Sequence, residues 1–132
     1  MSGAREVKDD RKYTRDHEWA LTRGGEVIVG ITAFAVDQLG DITLVNLDVE
    51  VGAQVEAGKA FGTIESVKTL SDLFAPVSGQ VTRINAQLAD HPELVNEDPW
   101  EAAWMIAVAP TGSEPTTLLD AAAYRQYLAE QE

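Results

Sequence analysis

Short apolar runs, repeatedly broken by glycine and proline, set the rhythm of the chain. "EVIVGI" (Glu26 to Ile31) is rich in β-branched residues and follows Gly24-Gly25, which predicts a strand entered through a tight turn. The period then changes. In "TAFAVDQLG", Thr32 is a candidate N-cap, Phe34, Ala35 and Leu39 are the apolar positions, and Gly40 is a stop, so a helix of about two turns is expected. A helix that short needs a sheet to pack on. "DITLVNL" (Asp41 to Leu47) returns to strand character, and "VGAQVEAGKAFGTIES" continues it between glycines at 52, 58 and 62.

The next stretch, "LSDLFAPVSGQVTRI", reads as strand, Pro-x-x-Gly turn and strand. Ala60 to Ser66 and Leu70 to Ala75 have comparable length, which predicts a hairpin with Lys68 at its turn. "NAQLADHPELVNEDPW" suggests a helical turn and then a loop broken by Pro92 and Pro99. "WMIAVAP" is a last strand, and "LLDAAAYRQYLAEQ" predicts a C-terminal helix over about 118–130 covering an open side or edge of the sheet. Residues 1–12 are polar and expected as a flexible tail, with one domain over 13–132. Many short strands separated by turns argue for a small β-sandwich or barrel.

Composition narrows the function. A chain of 132 residues supports one modest core. A formal net charge of -12 argues against nucleic acid and against an anionic membrane surface, because both need lysine and arginine. With no cysteine there is no disulfide framework, thiolate zinc site or cysteine nucleophile. No apolar run is long enough to span a bilayer, and "MSGAREVKDDRK" resembles neither a secretory nor a transit signal, so the cytoplasm is the expected compartment.

Candidate chemistry is sparse. His17, beside Asp16 and Glu18, could be a metal ligand or a base, though a lone histidine near acids is more often structural. Ser66 and Ser71 flank Lys68, but no third orienting group accompanies them. The glycines at 52, 58 and 62 lack phosphate-loop spacing and read as turn residues. From Gly24 to Tyr124 the only cationic side chains are Lys59, Lys68 and Arg83. Lys68 is therefore either a solvated surface charge or the anchor of a covalently tethered group.

"YTRDHEW", "VGITAFAVDQLGD", "ESVKTLSDLFAPVSGQV", "PELVNEDPW" and "LLDAAAY" together resemble the H protein family of the glycine cleavage system, collinearly from Tyr13 to about Leu128. The resemblance implies a mostly β, lipoyl-domain-like barrel–sandwich hybrid of two antiparallel sheets with short helices. It implies lipoic acid in amide linkage to Lys68, on a neutral arm of roughly 14 Å, with Glu65 part of the pattern that lipoylating enzymes read. It also implies that Glu18 and Asp72, with Asp16 as a neighbouring position variable in the family, hold a cationic aminomethyl intermediate.

The implied partners are glycine decarboxylase (a pyridoxal-phosphate enzyme), an aminomethyltransferase, dihydrolipoyl dehydrogenase and a lipoate ligase or octanoyl/lipoyl transferase. The chain itself would be a monomeric carrier, not an enzyme. Two alternatives stand beside this reading: a lipoyl relay supplying 2-oxoacid dehydrogenase complexes, and an unmodified protein-interaction barrel. Biotin is disfavoured because methionines do not flank Lys68. Two stretches depart from the family pattern, "PWEAAW" around Trp100, Ala102 and Ala103, and "LDVEVG" at 47–52.

Overall fold

The computed structural model describes residues 6–131. Nine strands and four short helices follow one another along them. The strands are β1 (Lys12–Tyr13), β2 (Glu18–Arg23), β3 (Glu26–Ile31), β4 (Ile42–Leu47), β5 (Gln54–Val55), β6 (Ala60–Ser66), β7 (Leu70–Phe74), β8 (Gly79–Ile84) and β9 (Ile106–Pro110). The helices are α1 (Ala33–Leu39), α2 (Gln87–Asp90), α3 (Leu94–Glu97) and α4 (Ala121–Glu130). One sheet has six strands in the order β1-β2-β3-β9-β8-β5, and the other has three, β4-β6-β7. Every pairing is antiparallel, as a fold of two antiparallel sheets requires.

The centre of the larger sheet, at β3 and the first part of β9, is buried on both faces, which explains why "EVIVGI" is almost continuously apolar. Val27, Val29 and Ile31 join Val45, Phe61, Ile64 and Leu73 of the smaller sheet in the main core. Trp19, Leu21, Ile28 and Ala107 belong to a second cluster, covered by Val7, Trp100 and the α4 residues Ala121, Tyr124 and Leu128. Trp19 stands directly opposite Gly30 in the β2–β3 register, and its indole occupies the space a side chain at 30 would need.

α1 forms as its sequence signals indicate. The Thr32 hydroxyl accepts from Ala35 N, and Gly40, at φ 82°, ends the helix in a conformation that favours glycine. α4 starts at Asp120, whose side chain accepts from Ala123 N. The expected loose tail is corrected for the residues described. Val7 is buried and Lys12 already pairs with Ala20. Arg11 is 5% exposed, with its guanidinium 4.6 Å from the Trp19 ring and 5.5 Å from that of Trp100. The Asp10 carboxylate, 2.8 Å from Arg11 Nε, the Trp100 carbonyl, 3.1 Å from Nη1, and two indole faces hold a charge that polarity alone would assign to solvent. Residues 1–5 lie outside the described residues.

Gly62 sits at the register shift between β6 and β7, where a methyl group would run into the Asn46 carbonyl oxygen and close on Leu47 Cα. That obstacle is backbone and cannot rotate away. Gly62→Ala is expected to lower stability by about 3 kcal/mol, read as a reduced urea midpoint with an unchanged m-value; an unchanged midpoint would show that β4 and β6 can part.

Candidate functional site

β6 and β7 form the expected hairpin, registered Ile64↔Ser71 and Glu65↔Leu70. Its tip is pinned. Ser66 N donates to the Thr69 carbonyl at 2.8 Å, and Ser66 Oγ accepts from Lys68 N at 3.1 Å and Thr69 N at 3.2 Å. Val67 N donates to the Asp41 carbonyl at 3.0 Å, tying the tip to the entry of β4. The Ser66 hydroxyl is thereby committed to the turn. With the backbone fixed, the Lys68 side chain is exposed and lies over Gly40, where a Cβ would come within 3.1 Å of Lys68 Cε. Among the described residues its Nζ makes only a long contact, 3.5 Å, to the Gln38 carbonyl at the end of α1.

Gln38 is also a wall of a small cleft of about 170 Å³. Asp16, His17 and Glu18 enter it from the β2 side, Ser71 and Asp72 from β7, and Ile31, Leu39, Ile64 and Leu73 supply its apolar surface. The structure thus gathers Glu18, Asp72 and Asp16 around one opening beside Lys68. Glu65 lies elsewhere. It is exposed in the outer row Leu44–Glu65–Leu70 across the small sheet, next to exposed Val67.

The three cleft acids differ in environment. Asp16 and Asp72 are exposed, whereas Glu18 is 2% exposed. Thr14 Oγ1 donates to Glu18 Oε1 at 2.6 Å and Phe74 N donates to Oε2 at 3.2 Å. Both bonds favour the carboxylate, yet burial outweighs them and pushes the Glu18 carboxyl up to about 8. Thr14 Oγ1 also accepts from Asp16 N and Glu18 N, so this one hydroxyl shapes the loop that delivers both acids.

His17 has the left-handed φ of 70°, rare for a residue with a side chain. Its ring lies 4.8 Å from that of Phe34, and its Nδ1 is 2.8 Å from the Tyr124 hydroxyl. Burial lowers its pKa against the pull of Asp16. Among the described residues no group of three or more His, Cys, Asp or Glu side chains is placed to hold a metal, and no helix is long and apolar enough to cross a membrane. The sequence did not single out Thr14, Gln38 or Tyr124, and it marked Thr32 only as a helix cap. Thr14 could have been found as a hydroxyl four residues before a carboxylate; Tyr124 carries no local signal.

The family model described as Glycine cleavage H-protein matches residues 11–131. The chain is 48% identical over 128 residues to a Glycine cleavage system H protein of Anaeromyxobacter sp. (strain K), covering 96% of this chain and 99% of that one. It is 54% identical over 102 residues to a protein of the same name from Bacillus cereus (strain AH820), covering 77% and 80%. A solved glycine cleavage system H protein from Mycobacterium marinum superimposes with a TM-score of 0.83 at 41% identity, over 95% of this chain and 98% of that one.

Burial of Glu18 has a measurable sign. Between the ordinary value of 4.5 and about 8, the folded state binds a proton that the unfolded chain does not. Stability from this group is therefore present below pH 4.5 and is lost as pH rises towards 8, at about 1.4 kcal/mol per pH unit per proton. Glu18→Gln removes that titration. Urea unfolding across pH 5 to 8 should show wild type losing stability relative to the variant as pH rises; a constant difference would mean Glu18 is ionised throughout.

Proposed function

This chain belongs to the glycine cleavage H-protein family, and from that footing we propose that it is the lipoyl-carrying shuttle of a glycine cleavage system, a carrier component without catalysis of its own. The carrying observation is the pairing of an exposed lysine on a pinned hairpin tip with an acidic cleft that shares the Gln38 wall. Lys68 is the residue proposed to take lipoic acid, through an amide at Nζ. The fit is favourable on two counts. The amine makes no ion pair among the described residues, so acylation breaks none. Gln38, whose carbonyl lies 3.5 Å from Lys68 Nζ, also lines the cleft, a separation short beside the roughly 14 Å that such an arm spans.

Bound lipoate supplies a strained disulfide that, once opened, accepts an aminomethyl unit on sulfur. The residues here do the holding. Asp16 and Asp72 place negative charge at the mouth. Glu18 is a buried residue of the lining, neutral over much of the range below pH 8 while the cleft is empty, and ionises against an ammonium group brought beside it. The apolar surface of Ile31, Leu39, Ile64 and Leu73 limits water around the cargo. Glu65, between Leu44 and Leu70 and close in sequence to Lys68, is proposed as part of the face read by a lipoate ligase or octanoyl/lipoyl transferase. Glycine decarboxylase, an aminomethyltransferase and dihydrolipoyl dehydrogenase are the proposed partners in turnover.

Intact-mass measurement after incubation with a competent lipoylating enzyme should show one lipoyl adduct, absent from Lys68→Arg. The modified protein should then support glycine-dependent carbon dioxide exchange by the decarboxylase, and the arginine variant should not. An unmodified mass in the presence of an active ligase would overturn the assignment.

A further inference from the structure

Three distant side chains form one buried hydrogen-bond path behind the cleft. The Tyr124 hydroxyl lies 2.8 Å from His17 Nδ1 and 2.8 Å from Thr32 Oγ1. Tyr124 comes from α4, Thr32 caps α1, and His17 immediately precedes Glu18 and lines the cleft. Tyr124 and Thr32 are both fully buried. Nothing in the handling of a tethered arm by Lys68, Glu18, Asp16 and Asp72 requires this path.

Counting hydrogens gives it a direction. Thr32 Oγ1 already accepts from Ala35 N at 3.2 Å. If the Thr32 hydroxyl donates to Tyr124, the tyrosine hydrogen goes to His17 Nδ1, and the imidazole carries its own hydrogen on Nε2. Every hydrogen between the three groups is then used, and the Nε2–H lies outside the path on a half-buried ring, where it is not a buried donor without a partner. In the opposite direction Nδ1–H donates to Tyr124 and Tyr124 to Thr32. The Thr32 hydroxyl hydrogen is then left in a fully buried position with no acceptor among the described residues. A buried donor without a partner is disfavoured, so the first direction prevails.

We propose that Tyr124, oriented by Thr32, is a positioning residue that holds His17 as the neutral Nε2–H tautomer and so keeps positive charge off the cleft wall beside Glu18. The proposal rests on the carrier reading for its purpose: an imidazolium there would compete with a cationic cargo for the same carboxylates. The charged or titratable groups around His17 are Asp16 on its own loop, Glu18 on β2, Asp72 on β7, and Tyr124 and Tyr127 on α4. Arg15 lies over the Tyr127 ring at 5.8 Å. Asp16, next to His17 in the cleft lining, favours its protonation, so an opposing device is needed if the ring is to stay neutral. Burial contributes to it, and the tyrosine hydrogen completes it. The left-handed backbone at His17 points the same way, since an uncommon conformation persists where the surroundings fix it.

The test is ¹⁵N NMR of the imidazole nitrogens in unlipoylated protein, titrated with pH. Wild type should show one neutral tautomer, with the hydrogen on Nε2 and the lone pair on Nδ1; an Nδ1–H tautomer overturns the proposal without any variant. Tyr124→Phe keeps the ring stacked on Tyr13 and removes only the hydroxyl. It should give mixed tautomers and raise the His17 midpoint by about half a pH unit or more, roughly a threefold gain in proton affinity. A lower Tm with unchanged tautomer and midpoint would assign Tyr124 a purely structural role and overturn the proposal. In protein loaded with cargo, Tyr124→Phe should release ammonia several-fold faster than wild type at equal pH. Equal release, with the tautomer shifted, overturns the link to the cleft. If wild type takes no lipoate at all, the carrier reading fails while the NMR result stands by itself.

Discussion

Two tyrosine rings, stacked 4.5 Å apart with 5° between their planes, hold the two ends of this fold together. Tyr13 lies on β1 and Tyr124 on α4, and neither is exposed to solvent. Around them Tyr13 and Leu119 exchange both backbone hydrogen bonds, at 2.8 and 2.7 Å, so the C-terminal segment is fastened before its helix begins. The Tyr13 hydroxyl donates to the Lys8 carbonyl at 2.6 Å, drawing the N-terminal segment into the same cluster, and burial pushes its phenol up to about 12. A ten-residue helix has little stability alone. Held by this stack, α4 covers the outer face of the larger sheet and delivers the Tyr124 hydroxyl to the back of the cleft.

The lysine hairpin obeys the opposite requirement. A carrier needs reach without uncertainty about where the reach begins. Here the three-residue tip is fixed by Ser66 and by Val67 N on the Asp41 carbonyl, so the mobile part starts at the Lys68 side chain. A loose loop would spread the arm over more positions and make return to one cleft entropically harder. Gly40 serves both ends of this arrangement. Its positive φ stops α1, and its missing side chain lets the lysine methylenes cross the helix terminus.

Local grammar made much of this legible. Thr32 and Gly40 bracketed α1, the paired runs around Lys68 gave the hairpin, and a helical turn was expected where α2 forms, whereas the stretch expected as a loop between Pro92 and Pro99 holds the short helix α3. What could not be read depends on partners far along the chain. Arg11 looked like part of a polar tail because its contact at Trp100 is 89 residues away. His17 sits beside acids in sequence, but its decisive partner, Tyr124, is 107 residues off. Resemblance set Asp16 apart as a variable position but did not distinguish Glu18 from Asp72. Only the fold reveals that Glu18 is enclosed while the two aspartates are exposed, because depth depends on what β7 and the loop at Thr14 place over each carboxyl.

That difference in depth changes what the cleft can do. Three permanently ionised carboxylates around so small a space would repel one another, and the empty site would gather whatever cation was at hand. With Glu18 neutral when empty, the standing charge lies only at the exposed mouth, where water screens it. In the proposed role, an ammonium group that entered would lower the proton affinity of Glu18, and the proton would leave as the cation settled. The buried pair that results is neutral overall, and its carboxylate already has the Thr14 hydroxyl and Phe74 amide aimed at it. Departure of the cation reverses the exchange, leaving no stranded charge. On the carrier reading this suits a cargo that must be held between partners and surrendered to the next one. An imidazolium at His17 would interfere with that exchange, because it would stabilise the Glu18 carboxylate in the empty cleft and meet the arriving cation with like charge.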